Sequence, residues 1–113
     1  MALVGYTLRS DGHNIAAPGA NTNILTTGIT PNRNGKMRVA VVLATTSVFN
    51  VTFTRGATTF TCGLNDSVAL PSGDLKEFEF SVSTSDTVNF QVETDGIIRK
   101  LQVGEVIDGV QGA

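Results

Sequence analysis

Three stretches of this chain alternate apolar and polar residues with a period of two, and this restricts the fold more than any other feature. Phe49, Val51 and Phe53 alternate with Asn50, Thr52 and Thr54, and Phe78, Phe80 and Val82 alternate with Glu77, Glu79 and Ser81. Val88, Phe90 and Val92 follow the same rule. Successive side chains of a strand point to opposite faces, so each stretch predicts a strand with one buried face and one wet face. Turn residues interrupt the chain every eight to twelve positions, the spacing of sandwiches and barrels. Composition agrees. Val and Thr supply 28 of the 113 residues, and both are β-branched and suit a pleated surface. No segment carries a convincing helical period.

Punctuation divides the chain further. The run Ala2 to Arg9 ends at Ser10-Asp11-Gly12, and His13 to Asn23 is a loose stretch containing Ala16-Ala17-Pro18-Gly19-Ala20. Residues 1–23 read either as an arm, carrying at most one strand and lying over a neighbour or over its own domain, or as an ordinary first strand and loop, and 24–113 as the domain proper. Leu3, Val4, Tyr6, Leu8, Ile15 and Pro18 are the apolar residues such an arm would offer a partner. Ile24 to Ile29 predicts a short strand. Lys36 to Arg55 predicts two strands, split at Thr45-Thr46-Ser47.

Two hairpins follow from pairing arithmetic. With Arg55-Gly56 as a two-residue turn, Val51 falls opposite Phe60, Phe49 opposite Cys62 and Thr52 opposite Thr59. With Asp95-Gly96 as a type I′ turn, Phe90 falls opposite Leu101 and Val88 opposite Val103. Phe49, Val51, Phe60, Phe80 and Phe90 are then expected in the core. The residues Gly104 to Ala113 predict a short strand and a frayed Gly-Val-Gln-Gly-Ala tail. The expected fold is all-β: a single β-sandwich of about eight or nine strands with an extended N-terminal arm. The jelly roll is one arrangement that fits. Connectivity does not follow from the pattern.

Chemistry is sparse. Covalent catalysis needs a nucleophile, a base and an orienting group within reach, and His13 and Cys62 are the lone histidine and cysteine. They read as a loop residue and an inward strand residue. Two such ligands are too few for zinc. Asp66, Asp74, Asp86 and Asp95 fall in expected loops without a D-x-D-x-D-G spacing and read as turn formers. Glu77 and Glu79 share a solvated strand face and do not confront each other across a cleft. No catalytic residue, metal or cofactor is expected.

Net charge is −2, and the basic residues are scattered apart from Arg33, Lys36 and Arg38, which read as the solvated start of a strand. Nucleic acid is therefore not an expected partner. No apolar run reaches membrane-spanning length, and the first residues lack the pattern of a secretory leader. A single cysteine implies no disulfide framework. The expected setting is a cytoplasm, or a particle released by lysis.

The stretch Leu70-Pro71-Ser72-Gly73-Asp74-Leu75-Lys76-Glu77-Phe78-Glu79-Phe80-Ser81-Val82, leading into Ser85-Asp86-Thr87-Val88-Asn89-Phe90, has a resemblance to one family. It resembles the late strands of small β-sandwich virion proteins of the phage capsid decoration or cement type. The resemblance covers about a third of the chain and transfers no individual residue's role. It implies a virion protein, made in a host cytoplasm, that binds the major capsid protein or another virion protein. It also implies self-association, with a trimer favoured. A carbohydrate-binding or adhesin-like sandwich is the alternative. That reading would predict exposed loop aromatics, and this chain has no Trp and one Tyr.

Overall fold

The computed structural model describes residues 3–109, with side chains from Tyr6 to Ile107. Seven strands occur there: β1 (Leu3–Ile15), β2 (Gly35–Leu43), β3 (Phe49–Arg55), β4 (Thr58–Gly63), β5 (Lys76–Val82), β6 (Thr87–Val92) and β7 (Ile98–Gly109). They form two antiparallel sheets, ordered β1-β7-β2-β5 and β4-β3-β6. A single 3-10 turn, Leu64–Ser67, follows β4. The sandwich expected from the alternation is present, with seven strands in place of eight or nine.

The period of two does the packing. Met37, Val39, Val41 and Leu43 of β2, with Ile98, Leu101 and Val103 of β7, face Phe49 and Val51 of β3 and Val88, Phe90 and Val92 of β6, all buried. Phe90 stacks on Phe49 with ring centroids 5.5 Å apart and meets Phe80 edge-on at 6.1 Å. Phe49, Val51 and Phe90 are buried as the pattern predicts. Phe80 is only half-buried, because β5 is an edge strand. Phe60 is 65% exposed, contrary to expectation. It points inward on β4, but β4 is also an edge, and Phe60 overhangs the mouth of the sandwich.

The first hairpin forms with a different turn. Arg55 pairs with Thr58, so Gly56-Ala57 is the two-residue loop, and Phe53 lies opposite Phe60 and Val51 opposite Cys62. Gly56 has φ of +61°, and a II′ turn takes glycine in this first central position. The slip is two residues, so every side chain keeps its predicted face.

The hairpin expected at Asp95-Gly96 does not form. β6 pairs with β3, and β7 lies between β1 and β2 in the other sheet. Both strands already have partners, so the intervening segment crosses between the sheets. Asp95 serves the crossing differently: its Oδ1 accepts the Gly19 and Gly96 amides at 2.8 and 3.0 Å. The turn at Thr84-Ser85 likewise carries the chain from one sheet to the other, joining β5 to β6.

Residues 3–15 are not a separate arm. β1 continues straight through Ser10-Asp11-Gly12, pairing with β7 from Leu3 opposite Gly109 to Ile15 opposite Ile98, with a bulge between Leu8 and Ser10. An edge strand needs a partner on one side only, and the long β7 supplies it even where the β1 sequence is polar. The expected end strand is accordingly longer, starting at Ile98; residues 110–113 of the expected tail lie outside the described residues.

Ile24 to Ile29 is not a strand. Only Ile29 makes a bridge, to Val88. The segment still runs beside β6: the Asn21, Ile24 and Ile29 amides donate to the Val92, Phe90 and Val88 carbonyls at 2.7, 2.9 and 2.8 Å. Asn89 fills the gap with its side chain. Its Oδ1 accepts from Leu25 N at 3.0 Å, and its Nδ2 donates to Leu25 O at 2.9 Å. A side-chain amide thus replaces one peptide unit of a missing strand. Asn89 is buried, so Asn89→Ala leaves the Leu25 groups unpaired and should cost about 1–3 kcal/mol. Amide hydrogen exchange should show Leu25 and its neighbours losing protection while β2 and β7 keep theirs.

Candidate binding face

The outer face of the four-stranded sheet brings two exposed apolar side chains together with a cluster of charged groups. On β1 and β7, Tyr6 lies opposite Val106 and Leu8 opposite Gly104. Tyr6 is 40% exposed and Leu8 48%. The Tyr6 ring lies across Gly104, where an added Cβ would stand 2.4 Å from the ring and 2.8 Å from the Thr7 carbonyl oxygen. The Tyr6 hydroxyl donates to the Arg38 carbonyl at 3.4 Å. Partial burial raises the phenol pKa, with the nearby Arg38 charge opposing. Gly104→Ala should therefore lift the ring and strain the β1–β7 ladder at about 1–3 kcal/mol, read as a lower denaturation midpoint.

Beside Tyr6 the same face is charged. Glu79 of β5 receives Arg38 at 3.2 Å and Lys36 at 3.5 Å. With Arg33 and Asn34 of the preceding turn, these groups edge an open cleft of about 680 Å³ that reaches Val106 and Ser81. The three basic residues noted in the sequence do meet on one surface, with one carboxylate among them. The face combines two exposed apolar side chains with a paired, weakly cationic rim.

Immediately beneath, on the inner side, Arg9 and Glu105 form an ion pair. Glu105 is 3% exposed. Its oxygens also accept the Asn32 amide at 3.0 and 3.1 Å, while Arg9 Nη2 donates to the Thr30 carbonyl at 3.0 Å. Arg9 occupies the β1 bulge, which turns an edge-strand cation toward this buried carboxylate. The cluster ties the 30–32 loop to β1 and β7. Sequence reading missed it, because Arg9 and Glu105 stand 96 positions apart and nothing local distinguishes either.

The six apolar residues proposed from the first segment separate into groups. Tyr6 and Leu8 share the outer face. Ile15 is half-buried and packs against the core, and Pro18 is half-buried beside the Asp95 crossing. Leu3 and Val4 lie in β1 opposite Gly109 and Asp108, and their side chains lie outside those described. His13 and Cys62 are on β1 and β4, the edge strands of opposite sheets. His13 instead faces Asp11 at 3.5 Å. Asp86 receives Arg55 at 3.0 Å. Among the described residues no three His, Cys, Asp or Glu side chains gather closely enough to hold a metal ion, and no helix is long and apolar enough to cross a membrane.

Comparison with known protein families, with curated proteins and with solved structures finds no match to this chain.

Proposed function

We propose that this protein acts by binding rather than catalysis, as a structural component of a virus particle. In this reading many copies dock on an assembled shell through the Tyr6–Leu8 face. The observation that carries the proposal is that face itself: two exposed apolar side chains on a four-stranded sheet, rimmed by paired charges. A surface of this composition suits broad protein contact with little electrostatic steering.

Strand order supports the virion class. We read the neighbours β1-β7-β2-β5 and β4-β3-β6, with residues 21–29 bonded along the free side of β6, as a jelly roll whose second strand is reduced to an irregular segment. Jelly rolls recur in viral capsid and lectin domains. Fold alone does not assign function; the resemblance of residues 70–90 to decoration and cement proteins adds to it.

The test is co-sedimentation with shells assembled from the major capsid protein encoded in the same genome. The intact chain should pellet with them, and Leu8→Lys should remove it to the supernatant with little change in melting temperature. If the intact protein stays in the supernatant, the virion reading fails. If Leu8→Lys pellets as well as the parent, the shell contact lies on another face.

A further inference from the structure

Every sheet edge offers unpaired backbone groups to a stray strand, and proteins block such edges with charge, bulges or a covering segment. Three of the four edges here are blocked. β6 is covered by residues 21–29. β1 is bulged at Arg9 and carries Asp11 and His13. β5 carries Lys76, Glu77 and Glu79. β4, Thr-Thr-Phe-Thr-Cys-Gly, has no charge, no proline and no register shift, and among the described residues it pairs only with β3. Its side chains from Thr58 to Thr61 are exposed.

Beside β4, Phe60 overhangs an apolar cleft of about 410 Å³ between the sheets, bounded by Phe53, Arg55, Thr58, Ser81 and Asp86. The two charges there, Arg55 and Asp86, already pair with each other. A partner for this edge needs no countercharge. It needs an uncharged strand and an aromatic ring to cover Phe60, and β4 of another copy offers both.

We propose that two copies of this chain associate through β4, antiparallel about a two-fold axis, joining their three-stranded sheets into one continuous sheet. A two-fold contact uses the same patch on both copies, so Phe60 lies opposite Phe60, Thr59 opposite Thr61 and Thr58 opposite Cys62. The two rings then sit on the core side, each at the other's cleft, and outward pairs are threonine with threonine. Antiparallel pairing of identical strands repels nothing here, since β4 is uncharged. One strand pair and two rings lie at the small end of specific interfaces, under about 1,200 Å². The dimer should form at micromolar concentrations and above, and dissociate on dilution.

Sedimentation equilibrium should show mass rising with concentration from the 11.9 kDa chain toward twice that value. Phe60→Lys should hold it at one chain mass, and its melting curve should match the parent's at concentrations low enough for the parent to be monomeric, since the side chain is exposed in the single chain. Register is tested by cross-linking. Opposed residues in an antiparallel pair stand about 4.5–5.5 Å apart between Cα atoms, within disulfide reach, whereas positions 58 and 62 of one strand are about 13 Å apart. Mild oxidation of Thr58→Cys should therefore give a covalent dimer through native Cys62, and Thr59→Cys, on the opposite face, should not. A chain that stays monomeric to about 1 mM, including one that instead captures a strand from another protein, overturns the proposal. So does a Phe60→Lys variant that still dimerises, or a Thr59→Cys variant that cross-links as readily as Thr58→Cys.

Discussion

Phe90→Ala is expected to destabilise the protein by about 3–5 kcal/mol, a large share of the ~5–15 kcal/mol available to a domain of this kind. Phe90 is fully buried, stacked on Phe49 and edge-on to Phe80. Its removal therefore opens a void that two sheets in contact cannot close by a small shift. The urea midpoint should fall with little change in slope. Phe60→Ala gives the contrast: at this exposed site the same truncation, measured on the dilute single chain, should change stability by about 0.5 kcal/mol or less. Equal losses at both positions would mean that β4 is buried by something beyond the described fold.

The second large effect is expected at Glu105. Replacing it with Ala leaves Arg9 and the Asn32 amide facing a hole where the carboxylate accepted the guanidinium and, shared between its two oxygens, the amide. Removing one member of a buried pair typically costs about 3–5 kcal/mol, mostly because the survivor is stranded. Arg9 keeps its bond to the Thr30 carbonyl and part of its exposure, so Glu105→Ala should fall at the lower end. Arg9→Ala strands the more deeply buried partner and should cost more. Thermal melts of the two variants, with the double replacement to isolate their coupling, decide the order. The double variant should lose less than the two single losses combined.

Much of the architecture could be read from residue spacing because the two-fold period is a local signal. Phe49–Phe53, Phe78–Val82 and Val88–Val92 each declare their buried face without reference to any partner. Pairing is not local in the same way. The hairpin at Asp95-Gly96 satisfied every local rule, yet β6 and β7 belong to opposite sheets because β3, β1 and β2 compete for the same edges. Phe60 shows the same gap: alternation identified the face it points to, but not that β4 lies at the rim. Ile24 to Ile29 read as a strand and not as a loop, since the substitute for their strand pairing is the side chain of Asn89, more than sixty positions away. For the binding face, Tyr6 and Leu8 could be singled out as apolar residues of a polar segment. Their position on Gly104, beside a cationic cleft, required the crossing of β1, β7 and β2.

The adjacency of β1 and β7 also sets how the molecule responds to load. Leu3 lies opposite Gly109, so the two described ends of the chain leave the sheet side by side. Tension applied between them acts across the ladder and breaks its hydrogen bonds one rung at a time, starting at that end, as a zipper opens. Tension directed along the strands, applied at Leu3 of β1 and at Ile98 of β7, would instead load many rungs together in shear and meet greater resistance. The described ladder is therefore weak when Leu3 and Gly109 are drawn apart and strong when its two strands are loaded along their length.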